Sequence, residues 1–121
     1  MNNATKLHHP TKQECSVSLN AVADAIYAIG GKWKLRIIIV LLEGNKRFNE
    51  LQRTVEGISA RVLSNELKEL ELNGFVNRKI DNGYPVVIQY ELTEYSQTLQ
   101  DVLRALSEWG KMHRKKIMQL N

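Results

Sequence analysis

Arg61, Ser64, Asn65 and Lys68 stand at helical spacing in the middle of the chain. A helical period puts these four on one face and Leu63, Leu67 and Leu70 on the opposite one. The polar types match the edges of base pairs. Arg61 suits a bidentate contact to guanine, Asn65 suits adenine N6 and N7, and Ser64 serves either edge. Lys68 and the backbone near Ser59 suit phosphate oxygens. Any surface helix turns polar residues outward, so the stripe takes its meaning from its neighbours. Those are a serine able to cap the helix before it and a hairpin pattern directly after it.

Other chemistry is thinly represented. Cys15 is the single cysteine, so no intrachain disulfide forms, which fits a reducing compartment. His8 and His9 with Cys15 do not complete a metal-binding set, and no metal or other cofactor is expected. Gly30-Gly31-Lys32 lacks the upstream glycine and the following Ser or Thr of a phosphate-binding loop. It reads instead as one helix stopping and the next starting. No metalloprotease, nucleophile-elbow or dinucleotide-binding pattern occurs, so nothing supports catalysis and the chain is not read as an enzyme.

The charge suits either a polyanion-facing surface or a solvated face with scattered lysines. Lys and Arg number 17 against 13 Asp and Glu, a formal +4. Residues 30–80 hold ten basic and six acidic residues, residues 81–100 hold three acids and no base, and residues 101–121 are basic again. Neutralising phosphates releases counterions and drives binding, so a basic middle suits a nucleic-acid surface. With 121 residues, 43% hydrophobic and 25% charged, the chain has the composition of one globular domain. Its longest apolar run, Ile37–Leu42, is far too short to span a bilayer. The stretch from Met1 to Pro10 does not resemble a signal peptide. A cytoplasmic protein without membrane contact is expected.

The elements that must position these residues follow from periodicity. Residues 1–18 are polar and aperiodic and read as a flexible arm, and residues 19–121 as the folded domain. Leu19, Val22, Ala23, Ile26 and Tyr27 mark an amphipathic first helix, ended by Gly30-Gly31. A second runs from Lys32 to about Glu43 and, apolar almost all round, should be the most buried. Lys46-Arg47-Phe48 is a short extended piece. Asn49 with Gln52 suggests a capping box opening a third helix, with Phe48 and Leu51 on its buried side. Ser59 caps a fourth helix that ends at Gly74. Residues 75–80 and 86–92 form a hairpin around Asp81-Asn82-Gly83-Tyr84-Pro85, and Thr93 caps a last helix over about 93–120. The fold class is α+β, mainly helical, in the order of a winged helix-turn-helix with N- and C-terminal dimerisation helices.

Four blocks then resemble the successive signatures of the HxlR-type winged-helix regulators, bacterial relatives of the MarR group. They are Gly30-Gly31-Lys32-Trp33-Lys34-Leu35, Lys46-Arg47-Phe48-Asn49-Glu50-Leu51, Gly57-Ile58-Ser59 with Arg61, Leu63 and Glu66 to Glu71, and Leu92-Thr93-Glu94. The resemblance covers about Cys15 to Gly110. It implies a dimeric, sequence-specific DNA-binding transcription factor with the fourth helix in the major groove and the hairpin along the backbone. Arg47, Arg78 and Lys79 join Ser59 as backbone contacts. Two departures stand out: Val87 replaces the family's usual basic residue on the returning wing strand, and Ser96 replaces a usual glycine. Val87 favours the alternative of a winged-helix protein-interaction module without specific DNA binding. Cys15 lies where the family usually carries a cysteine, just before the first helix. In some members that thiol senses electrophiles or oxidants, which implies a small-molecule or electrophile inducer. The other reading is an ordinary small residue at a dimer interface.

Leu99, Leu103, Leu106, Gly110, His113, Ile117 and Leu120 recur in a heptad-like stripe, widened by Val102 and Trp109. With Leu19, Val22 and Ile26 of the first helix, they offer more apolar surface than one domain can cover. A homodimer is expected, and with it a pseudo-palindromic operator.

Overall fold

The computed structural model describes residues 9–120. It contains α1 (Lys12–Ile29), α2 (Lys34–Leu41), β1 (Lys46–Arg47), α3 (Phe48–Thr54), α4 (Ala60–Leu72), β2 (Val76–Asp81), β3 (Val87–Leu92) and α5 (Gln100–Gln119), with a 3-10 turn at Tyr95–Leu99 leading into α5. The expected order of elements is the observed one, a winged helix-turn-helix.

The helix α1 starts earlier than periodicity suggests. The Thr11 hydroxyl accepts from the Glu14 N–H at 3.1 Å, and the Glu14 carboxylate accepts from the Thr11 N–H at 2.8 Å. That reciprocal box satisfies two orphan donors and nucleates the helix before its apolar stripe begins. The arm expected over 1–18 is therefore corrected: residues 12–18 are helical, and residues 1–8 lie outside the described residues. Ile29 alone in α1 is buried.

In α2 the residues Ile37, Ile38 and Leu41 are buried, but Ile39 and Leu42 are exposed, so this helix is not covered all round. It is also shorter at both ends than the expected 32–43. The α3 cap differs too. Its helix opens one residue early, and the Glu50 carboxylate accepts from the Arg47 N–H at 2.8 Å, where Asn49 and Gln52 were expected to make the box. A charged acceptor makes the stronger bond.

Ser59 caps α4 as expected, accepting from the Val62 N–H at 3.1 Å. At the other end Gly74 has φ +82, a left-handed conformation that favours glycine. It lets the Phe75 N–H reach back to the Leu70 carbonyl at 2.9 Å. The sheet has the antiparallel order β1-β3-β2. The core gathers Ile37, Ile38, Leu41, Leu51, Leu63, Leu67, Leu70 and Val76 between the helices and this sheet.

Thr93 caps the 3-10 turn and not α5 itself. Its hydroxyl accepts from the Ser96 N–H at 3.2 Å and donates to the Gly74 carbonyl at 2.5 Å, pinning the root of the last helix to the end of α4. Ser96 is buried there, its hydroxyl donating to the Thr93 carbonyl at 2.6 Å. Leu99 is 8% exposed and belongs to the protein's own core, with Leu103 packed beside it. Leu99, expected at a dimer interface, is thus covered by its own chain, whereas Leu103 is half-buried and keeps part of its surface free. From Gln100 to Gln119 no residue is buried. Among the described residues no helix is long and apolar enough to cross a membrane.

Candidate nucleic-acid interface

The helix α4 divides its faces cleanly. Leu63, Leu67 and Leu70 are buried, Arg61, Asn65 and Lys68 are exposed, and Ser64 is half-buried between them. Among the described residues, neither Arg61 nor Lys68 makes an ion pair. Both cations are thus available to an external anion. No acid stands in the first turn, so the positive end of the helix dipole is left uncancelled there.

A contact missed by sequence reasoning holds this helix in place. Lys34, 7% exposed, directs its ammonium to Glu66 Oε1 and Glu69 Oε1, each at 2.8 Å. Burial works to lower the Lys34 pKa, but the hydrogen bonds and charges of Glu66 and Glu69 outweigh it and leave the group raised. The tie joins the start of α2 to the middle of α4, opposite in role to the outward cations. Its signal in the sequence is a lysine opening the mainly apolar α2, with two glutamates three residues apart in α4.

The wing residues do not act as a pair. Across the sheet, Lys46, Tyr90 and Arg78 are aligned in one row and Arg47, Gln89 and Lys79 in the next. Adjacent residues on a strand face opposite ways. Arg78 therefore shares a recess with Ser64, Lys68, Glu71 and Tyr90, continuous with the α4 stripe. Its Nε lies 3.7 Å from Glu71 Oε2, a loose pairing. Burial and the nearby Glu71 push the Tyr90 hydroxyl pKa up, against the pull of Arg78. Lys79 instead shares the opposite face of the sheet with Arg47 and Gln89. At the turn, the Asp81 carboxylate accepts from the Gly83 N–H at 3.0 Å, so this acid shapes the wing tip.

Cys15 sits inside the first turn of α1, not before the helix, with its N–H donating to the Thr11 carbonyl at 3.0 Å. The residue is exposed. Hydrogen bonding first from the Thr11 backbone and then from its side chain lowers the Glu14 pKa, keeping a charged carboxylate beside it. His8, weighed above with Cys15 as a metal ligand, lies outside the described residues.

Of the expected interface residues, Leu19, Val22, Ile26, Leu106, Trp109, Gly110, His113 and Ile117 are all exposed. The Trp109 and His113 rings stack with centroids 4.8 Å apart. Val17, Met112 and Met118 add apolar surface that the heptad pattern did not include.

Comparison with known proteins agrees with this architecture. The sequence profile of the HxlR-like helix-turn-helix family matches residues 28–118. The uncharacterized HTH-type transcriptional regulator YybR of Bacillus subtilis (strain 168) is 36% identical over 106 residues, covering 88% of this chain and 81% of that protein. The crystal structure of the HTH-type transcriptional regulator ytcD is similar at a TM-score of 0.75 and 39% identity, over 78% of this chain and 96% of that one. The redox regulator HypR in its oxidized form is similar at a TM-score of 0.71 and 37% identity, over 76% of this chain and 95% of its own. With its helix-turn-helix, its wing and a match running from the end of α1 almost to the end of α5, the chain belongs to the HxlR-like helix-turn-helix family of transcriptional regulators.

Proposed function

We propose that the protein acts in the cytoplasm as a homodimeric, sequence-specific DNA-binding regulator of transcription, on a pseudo-palindromic operator. The observation that carries this reading is the α4 face of Arg61, Ser64, Asn65 and Lys68, outward and without internal ion partners. Arg61 and Asn65 read base edges, Ser64 supplements them, and Lys68 with the Ser59 turn holds phosphate. Arg78 extends the same surface, and Arg47 with Lys79 supplies backbone contacts from the other face of the wing. The exposed apolar residues of α1 and of α5 beyond Leu103 pack against their symmetry mates, which sets two recognition helices on one side of the duplex.

Cys15 supplies the signal. Its exposed thiol in the first turn of α1, an element of the proposed dimer interface, is open to oxidants and electrophiles. Similarity to the redox regulator HypR supports the same reading. With one cysteine per chain, the modification is an adduct, a mixed disulfide or a bridge between subunits.

The test is a mobility-shift assay on DNA upstream of the protein's own and neighbouring genes, at two salt concentrations, with and without diamide. A specific shift is expected, with release by diamide that Cys15→Ser abolishes while retaining DNA affinity. No specific shift by a folded protein at either salt, on these fragments or in a genome-wide binding screen, sinks the DNA-binding reading. Unchanged release in Cys15→Ser sinks the sensor.

A further inference from the structure

We infer that Lys32, Trp33 and Arg36 form a second phosphate-binding locus, at the start of α2, that grips the DNA backbone beside the groove entered by α4. This rests on the reading that α4 binds duplex DNA.

The three residues make an unusual cluster. Lys32 Nζ lies 4.7 Å from the centroid of the Trp33 ring, and Arg36 Cζ lies 5.6 Å from the same centroid. Each cation gains from the ring quadrupole. Two like charges gathered on one indole also repel each other, and among the described residues neither makes an ion pair. Glu56, the acid beside the neighbouring turn, makes none with them either. Both cations are exposed, and Trp33 is half-buried against the core, so the platform is fixed while its charges face water. An external anion removes the repulsion that the fold leaves standing.

The position of the platform selects the anion. The far edge of the Trp33 ring comes within 3.9 Å of where a Cβ on Gly57 would stand, which puts it against the turn that leads into α4. Two residues later Ser59 caps that helix, and Arg61 follows with no acid in the first turn. Lys34, between the two cations in sequence, points the other way and is neutralised by Glu66 and Glu69. One short segment thus spends one lysine on holding α4 and leaves two cations unspent next to its N-terminal turn. A backbone phosphate is the anion that duplex DNA offers at that place, and it is sequence-independent.

The test compares wild type with the double variant Lys32→Gln, Arg36→Gln on a short mixed-sequence duplex, by fluorescence anisotropy over a series of salt concentrations. Both side chains are exposed, and a thermal melt confirms an unchanged fold. Loss of one phosphate contact lowers the slope of log K against log salt by roughly one and weakens binding alike on mixed-sequence and upstream DNA. A variant with wild-type slope and affinity overturns the locus while leaving DNA binding by α4 intact. Wild type that shows no salt-dependent binding at all overturns both. As a separate arm, Trp33→Phe keeps a ring under the cations and is expected to retain most of the slope. Trp33→Leu, if folded, is expected to lose part of it.

Discussion

Removing the ammonium of Lys34 asks how firmly α4 is held. Lys34→Met keeps the length and apolar stem of the side chain and deletes its charge. The side chains of Lys34, Glu66 and Glu69 are 9%, 19% and 54% exposed. Taking one partner from a fully buried ion pair costs ~3–5 kcal/mol, because the other charge is left without water or counterion. Exposed pairs contribute ~0–1 kcal/mol. Glu69 can turn to solvent, whereas Glu66 is largely enclosed, so the cost falls between these limits at about 1–3 kcal/mol. For a domain of this size that is a fall in Tm of roughly 4–12 °C, measured at fixed protein concentration because the proposed dimerisation would shift the midpoint. A double-mutant cycle on thermal melts separates the two glutamates. Lys34→Met with Glu66→Gln should cost clearly less than the sum of its single changes, and Lys34→Met with Glu69→Gln should be nearly additive. Full additivity for the Glu66 pair refutes the reasoning. The pH dependence has a definite sign. The folded pKa of Lys34 is raised above its ordinary 10.5, so the contribution is complete below that value. It is lost as pH rises through the raised value, and acidification does not remove the lysine charge.

Three further outcomes are expected. Ser59→Ala removes the oxygen that accepts from the Val62 N–H and should destabilise the protein by ~1 kcal/mol, read by chemical denaturation; no change means solvent replaces the cap fully. Leu106→Glu, on the exposed stretch of α5, should convert dimer to monomer in sedimentation equilibrium while the winged core keeps its circular dichroism; a dimer that persists moves the interface elsewhere. Arg61→Ala should weaken operator binding by ~1–3 kcal/mol and relax preference at one base pair; equal binding by wild type and variant in a titration with substituted duplexes rejects its base-reading role.

The parts of this fold that could be read from the sequence are those with a local physical cause. Ser59, the three-leucine stripe and Gly74 define α4 without reference to the rest of the chain, and the β-branched runs around Asp81–Pro85 define the hairpin. What escaped depends on distant partners. A heptad pattern marks Leu99 and Leu106 alike as apolar positions seeking cover, but not whether the cover comes from the same chain; Leu99 is core and Leu106 exposed. Lys34 meets Glu66, 32 residues away, so its place in a mainly apolar helix hints at burial but its sequence neighbours do not reveal the partner. The start of α1 was legible in Thr11 and Glu14 but masked by the late onset of apolar periodicity. The opposed directions of Arg78 and Lys79 follow from strand alternation alone, and treating them as equivalent overlooked it. In the candidate site, α4 was legible because its outward residues form a stripe; the Trp33 platform was not, because its cations meet only through the ring.

The root of α5 has a mechanical consequence. Thr93 and Ser96 lock the start of this element to the Gly74 end of α4, and Leu99 with Leu103 anchors it against the core, whereas the helix beyond Leu103 is exposed as far as Gln119. At ~1.5 Å per residue the stretch from Arg104 to Gln119 is a lever of about 24 Å, and a tilt of roughly 5° at its base moves the far end by about 2 Å. In the proposed homodimer the same tilt, working in reverse, changes the separation of two reading heads that must match one turn of the double helix, ~34 Å. A small disturbance at the outer helices is therefore enough to put both heads out of step with the groove, without altering any residue that faces a base.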